Sequence, residues 1–397
     1  MIILDFYKNS ELAKDFGISK MTVARYIENS KNGHNDLELI FSKGHFKIKK
    51  TELNKIKIKS LIADKKKFKN PKRYKVIEVR QEFFLNYSNR SVLEIYKDLK
   101  NNSYINTKFC YLGTNSLTYL EYLKSRKNNK IKIDLLYKNI AFLEDYAREN
   151  QIKYNIIELG PSDMTSTEGF VKSLNENNLV NNYLALDFSK ELLNINQRRF
   201  RTVFDNIEYN NKLVDIEQEE IYEIITDNKY KTTKSTNVVN LFLLIGCTAC
   251  NFFKPCDVYS NLYNSLNKDD FLVLDFIKQY PEMKKNKIYD QDSLLYKYLS
   301  FLLKNIGLRQ GDFVLNSYYD EAKNTRLVFA TIQDNINLRF GDDYEDILIK
   351  KNQEILLLIN RVDNNFDMEA MKNNNFNLIN LNTSISMDYI NCLYRRK

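Results

Sequence analysis

Three apolar runs in the middle of the chain end in residues that suit one kind of recognition. Asn155-Ile156-Ile157-Glu158-Leu159-Gly160, Leu184-Ala185-Leu186-Asp187 and Leu241-Phe242-Leu243-Leu244-Ile245-Gly246 each read as a buried strand that stops at a glycine or a carboxylate. A glycine at such a stop lets the backbone approach a ligand closely, and a carboxylate at the tip of the next strand can accept hydrogen bonds from two ribose hydroxyls. The pattern therefore fits recognition of an adenosine group. The first turn, Gly160-Pro161-Ser162-Asp163, lacks the three-glycine pattern that seats a pyrophosphate against a helix N-terminus. That disfavours a dinucleotide, and S-adenosyl-L-methionine, with a ribose and no phosphate, fits better. Any α/β protein has strands ending in Gly and Asp, so these elements alone leave the cofactor open.

The surroundings must supply a core to hold such strands. The chain has 397 residues, 43% of them hydrophobic, which suffices for two domains with a substantial core in at least one. No run approaches the ~20 apolar residues that a membrane helix requires. Met1-Ile2-Ile3-Leu4-Asp5 has neither the basic region nor the long apolar stretch of a signal peptide. These features lead to the expectation of a cytoplasmic protein with no membrane partner. Cys110, Cys247, Cys250, Cys256 and Cys392 form no regular framework, so reduced thiols are expected. Cys247-x2-Cys250 with Cys256 has zinc-like spacing but no fourth ligand nearby, since His34 and His45 both lie near the amino terminus. Small buried cysteines, and no metal, are the expectation. Pro255-Cys256 resembles a cytosine-methylating nucleophile but stands too far beyond its strand.

The net charge of +9 is unevenly spread. Residues 1–75 hold 19 Lys and Arg against 8 Asp and Glu, and the remainder is close to neutral. A polyanion is the expected partner of that basic segment. Within it, Ser10 to Phe16 has apolar positions at helical spacing, Gly17-Ile18-Ser19 interrupts, and Lys20 to Ile27 resumes the period. Ala13, Gly17 and Val23 carry the likeness to a helix-turn-helix: a small residue at the crossing, a glycine for the turn, an aliphatic plug. Lys20, Thr22, Arg25 and Tyr26 then fall on or near the exposed face of the second helix. Gly44-His45-Phe46-Lys47-Ile48 resembles the wing of small excisionase- and MerR-type modules, making Lys47 a further DNA contact. Protein docking is the competing use of such a unit, and a solvated linker around Pro71 explains Lys65 to Arg73 nearly as well.

From about residue 100 onward the order of motifs resembles the histidine-specific N-alpha-methyltransferases of ergothioneine biosynthesis. Lys108-Phe109-Cys110-Tyr111 with Gly113-Thr114, Glu158-Leu159-Gly160 with Thr167, Asp187-Phe188-Ser189, Asp215, and Gly246 to Asn251 are the landmarks, followed by Asp275-Phe276-Ile277-Lys278. Val314 to Asp320 and Arg326 to Ala330 look like the terminal antiparallel strand pair. The resemblance implies a class I methyltransferase fold, α/β and Rossmann-like with a seven-stranded sheet, over residues 76–397, beside the small, mainly α winged module of residues 1–75. It also implies S-adenosyl-L-methionine held by Glu158, Gly160, Ser162, Asp187, Asp215 and Gly246. The acceptor is expected at Tyr111, Asn251, Tyr319 and Glu354.

Two departures bear on function. Pro161 and Asp163 replace small residues of the cofactor loop, and Asp163 is placed to repel the cofactor carboxylate while attracting its ammonium or sulfonium. Glu354 aligns with the family's imidazole-recognising glutamate, but Leu356 then replaces its serine, so the acceptor is read as an amino-acid-like or other small amine. Methyl transfer from a sulfonium needs a nucleophile held in line at ~3 to 3.5 Å and little covalent help; no catalytic residue is assigned. For Asn251, capping of the following helix competes with substrate contact. The alternative for the whole chain is a DNA-binding regulator, working as a homodimer on two half-sites, whose methyltransferase fold is a degenerate or ligand-sensing scaffold.

Overall fold

Strict alternation along the central strands sends every second side chain to each face of one sheet, and both faces are buried. The computed structural model describes residues 9–16, 20–31, 37, 39–42, 45–48, 50–51, 54–55, 57–59, 74–126, 129–226, 237–278, 284–362, 364–386 and 388–397. The chain divides into two compact units, Met1–Tyr74 and Lys75–Lys397.

In the first unit the helices Asn9–Asp15 and Lys20–Lys31 are followed by an antiparallel hairpin of β1 (Leu39–Ser42) and β2 (His45–Ile48). Leu12, Val23, Tyr26, Ile27, Leu37, Ile48 and Ile58 form its core. Val23, Tyr26 and Ile27 sit at the i, i+3, i+4 positions of one helical stripe. Tyr26, expected on the exposed face, is thus a correction: it is 3% exposed, because the same period that places Val23 inward places it inward too. Lys47 is half-buried on β2. The Gly17 turn, Gly44, the segment Lys65 to Arg73 and the side chains of Lys20, Thr22 and Arg25 lie outside the described residues.

The second unit starts with β3 (Lys75–Glu78). Its main sheet takes β4 (Lys153–Leu159), β5 (Val180–Asp187), β6 (Glu208–Leu213), β7 (Val238–Leu244) and β8 (Phe271–Ile277) in parallel. There follow β9 (Lys287–Ile288), β10 (Phe313–Asp320), β11 (Thr325–Ile332), β12 (Ile336–Arg339), β13 (Ile347–Ile349) and β14 (Glu354–Arg361). Finally β15 (Phe376–Thr383) and β16 (Tyr389–Arg396) return to the main sheet, whose order is β15-β16-β8-β7-β4-β5-β6. β16 runs antiparallel to both neighbours. The terminal antiparallel pair is therefore β15 and β16, not the Val314–Asp320 and Arg326–Ala330 segments expected in that role. Those belong to a separate sheet, β14-β11-β10-β9, beside a third, β13-β12-β3.

Ile157, Leu184, Phe242 and Leu272 pack into one core, and their strand neighbours Ile156, Tyr183, Leu241 and Phe271 into another on the opposite face. Burial on both faces is what makes parallel strands read as unbroken apolar runs. The sheet order reverses direction between β4 and β7, and at such a switch point the carboxyl ends of the strands leave a crevice. Among the described residues no helix is long and apolar enough to cross a membrane.

Candidate active site

That crevice is a cleft of about 690 Å³ at the carboxyl ends of β4, β5 and β7. Gly160, in the left-handed region at φ 69°, turns the chain out of β4. A Cβ built on Gly160 meets nothing within 4 Å, so the open space of the cleft starts at the backbone itself. Ser162 is also left-handed, at φ 52°, in a loop without further glycines. Its Oγ is buried with no hydrogen-bond partner, and it lines the cleft.

Asp187 ends β5 and is 7% exposed. Its Oδ1 accepts from Ser189 N at 2.8 Å, and Ser189 Oγ in turn accepts from Leu192 N at 3.3 Å to start the helix Lys190–Val203. Burial pushes its carboxyl up to about 7, against the pull of the amides of Ser189, Ser162 and Phe188. Past β6, Asp215 pairs with Lys108: Nζ lies 2.8 Å from Asp215 Oδ2 and 2.5 Å from Glu94 Oε1. Burial works against the Lys108 ammonium, yet the two carboxylates outweigh it and hold its pKa above the ordinary lysine value. Glu217 faces the same cleft, its carboxyl raised chiefly by burial, with Lys108 pulling the other way. Asn106 Nδ2 donates to it at 3.3 Å.

On the far wall, Gly246 and Cys247 leave β7 with φ 88° and 62°, and their amides donate to the buried Asp275 at 3.1 and 2.6 Å. The short 3-10 turn Thr248–Asn251 follows. Asn251 does not cap the next helix, Pro255–Ser265, whose cap position is Lys254. Instead its Oδ1 is buried without a partner and lines the cleft. Tyr111 comes from the 3-10 turn Thr107–Tyr111 and stacks edge-on against Tyr119, ring centroids 4.7 Å apart. That turn is anchored on β14: Thr107 Oγ1 donates to Leu357 O at 2.7 Å and Ile105 N to Leu356 O at 2.9 Å.

The cleft thus gathers Tyr111, Gly160, Ser162, Asp187, Asp215 and Asn251 from distant parts of the sequence. Glu158 and Gly246 line an adjoining cavity of about 620 Å³ that shares Tyr119, Gly160, Ser162 and Thr248 with it. Burial raises the Glu158 carboxyl to about 7, while Tyr183 OH and Thr167 Oγ1, the latter at 2.9 Å, donate to it. Asp163 is drawn into its own turn by Thr165 N at 3.1 Å and pairs with Arg199 at 3.7 Å.

Tyr319 and Glu354 are corrections, since neither lines the cleft. Tyr319 sits near the end of β10, where its OH donates to Asn324 Oδ1 at 3.1 Å across the hairpin turn. Glu354 is exposed at the start of β14, opposite Thr331, whereas the part of β14 that holds the Thr107–Tyr111 turn starts at Leu356. The sequence singles out neither Glu94, Asn106, Thr107 nor Glu217, and marks Phe188 and Lys108 only as parts of longer motifs. The only signal was the carboxylate pair Asp215-x-Glu217, which has no meaning until Lys108 is placed against it.

A sheet of this strand order, with a glycine turn, a ribose-height carboxylate and orphaned polar atoms at its switch point, defines a class I S-adenosylmethionine-dependent methyltransferase. A family profile described as histidine-specific methyltransferase, SAM-dependent, matches residues 130–373, and the chain belongs to that family. It is an enzyme, and its cofactor is S-adenosyl-L-methionine. No curated protein matched the sequence. Among solved structures, a S-adenosylmethionine-dependent methyltransferase from Clostridium acetobutylicum ATCC 824 is 12% identical, covering 71% of this chain and 97% of its own, at a TM-score of 0.39. The CcbJ methyltransferase from Streptomyces caelestis is 9% identical, covering 65% and 95%, at 0.37. The glycopeptide N-methyltransferase MtfA complexed with sinefungin is 10% identical, covering 65% and 87%, at 0.32. The family assignment rests on the profile match and the strand order, not on these three.

Proposed function

We propose that this enzyme methylates the nitrogen of an amino-acid-like or other small amine. The observation that carries the reading is the buried, unpartnered Oδ1 of Asn251 in a cleft that also holds three carboxylates, Asp187, Asp215 and Glu217. An amide oxygen only accepts, so it asks for an N–H donor. An amine that gives one N–H to Asn251 has its lone pair turned elsewhere, and that lone pair is what must face the methyl group. Bound S-adenosyl-L-methionine supplies an electrophilic methyl on a sulfonium. Glu217, with its raised carboxyl, is suited to take the proton an ammonium must shed first. Asp187 is the group proposed to hold the ribose, with Gly160 and Ser162 alongside, and Asp215 to hold the adenine side. Tyr111 closes the acceptor side.

The test is transfer of labelled methyl by the full chain to a panel of amines, hydroxyl compounds and thiols. N-methyl products, and a loss of at least ~100-fold in turnover for Asn251→Ala with unchanged cofactor affinity, are expected. Label appearing only on oxygen or sulfur sinks the amine reading. We also propose that residues 1–75 contact DNA as a helix-turn-helix module, with the chain acting as a homodimer. The support is 19 basic against 8 acidic residues there, and two helices packed through Leu12, Val23 and Ile27 ahead of a hairpin. Retention on DNA should weaken steeply with salt and vanish on deletion of the segment. Equal retention by residues 76–397 alone would count against it.

A further inference from the structure

A buried cation is costly unless an anion meets it. Lys132, on the helix Asn129–Tyr137, is 6% exposed. Among the described residues no carboxylate lies within 4.0 Å of its ammonium and no side-chain hydrogen bond serves it; the ammonium lies over the Tyr389 ring, 5.2 Å from its centroid. Arg126 stands close enough to repel it, and the Arg126 guanidinium lies 5.7 Å over the Tyr122 ring, likewise with no ion pair among the described residues. A buried ammonium thus has a half-buried guanidinium of the same sign as its neighbour. The Cys247 sulfur and then Asp275 attract Lys132, but both oxygens of Asp275 are held by the amides of Gly246 and Cys247.

Lys132 lines the cavity that adjoins the cofactor cleft past Gly160 and Ser162. The carboxylates on that wall are already engaged: Glu158 by Thr167 and Tyr183, Asp163 by Thr165 and Arg199. An anion from outside is what the cavity lacks. The cofactor brings one such group, the carboxylate of its methionine portion, at the end opposite its ribose. With the ribose at Asp187, that end points past Gly160 toward Lys132. We propose that Lys132, backed by Arg126, binds the carboxylate of the cofactor's methionine end. This assignment rests on the placing of the ribose at Asp187 proposed above.

Calorimetry on the full chain separates the two claims. S-adenosylhomocysteine carries the carboxylate, and methylthioadenosine has the same nucleoside and sulfur without the amino-acid portion. Lys132→Met should weaken S-adenosylhomocysteine roughly 10- to 100-fold, the worth of a charged hydrogen bond in a buried site, with partial recovery in Lys132→Arg. Methylthioadenosine should bind equally to all three proteins, which also shows that the variants fold. If the unaltered protein binds neither nucleoside, the cofactor cleft itself is misplaced. If it binds both and Lys132→Met holds S-adenosylhomocysteine as tightly as before, only the lysine assignment falls. Titration of L-histidine into the S-adenosylhomocysteine complex distinguishes the other source of a carboxylate: binding lost there alone would hand the site to the acceptor and overturn the proposal.

Discussion

The two ends of the cleft handle charge in opposite ways. Around β5 and β6 the carboxylates have protein partners: Asp187 has the Ser189 amide, Asp215 and Glu94 have Lys108, and Glu217 has Asn106. Past Gly160, Lys132 is buried and Arg126 half-buried, with no carboxylate in contact with either among the described residues. One end is assembled before any ligand arrives, and the other is completed by it. Preorganised partners fix a geometry, whereas an uncompensated charge stores an affinity.

The largest expected effect breaks the assembled end. Lys108→Met leaves Asp215 and Glu94 facing each other without their cation, and loss of one member of a buried pair costs about 3–5 kcal/mol. Urea unfolding measures it; a midpoint that does not move would mean this end is not held by its ion pairs. Next, Asp187→Asn should weaken S-adenosylhomocysteine by roughly 10- to 100-fold, because a carboxylate accepts more strongly than an amide oxygen. The same residue sets a pH dependence. Its carboxyl sits at about 7 in the free protein, and only the ionised form accepts from both ribose hydroxyls. Affinity should be flat at higher pH and fall as pH drops through 7, approaching about tenfold per pH unit, with the slope gone in the Asn variant. A slope that survives the substitution points to another group.

The smallest effect concerns Glu158. Its pKa of about 7 in the fold exceeds its ordinary 4.5, so the folded chain holds the proton more tightly than the unfolded chain. Its contribution to stability is therefore full below the unfolded value and declines as pH rises through 4.5 to 7. Glu158→Gln should remove that decline, seen as a few degrees in the pH dependence of melting; parallel melting profiles for the two proteins would assign the decline elsewhere.

β4, β5 and β7 are legible because burial on both faces leaves unbroken apolar runs, and Gly160, Asp187 and Gly246 mark where those runs stop. The terminal strand pair is not, because β15 reads Phe-Asn-Leu-Ile-Asn-Leu-Asn-Thr, less apolar than the β11 segment taken in its place. Tyr26, expected on or near the exposed face of the second helix, lies inside because its spacing from Val23 keeps it on the core stripe. Lys132 gave no signal at all. In Asn-Lys-Ile-Lys-Ile-Asp-Leu-Leu-Tyr it looks like Lys130, and only the packing of that helix against β16 buries one of them. Lys108 is similar: a lysine between Thr107 and Phe109 acquires a role only when residues over a hundred positions away close around it.

The bonds from Ile105 and Thr107 to β14 make the Tyr111 wall of the cleft a dependency of the accessory sheet rather than of the nucleotide-binding one. Lys108, on the same turn, carries that dependence across the cleft to Asp215. Engineering directed at β14 should therefore shift the Tyr111 wall and the Lys108–Asp215 pair together.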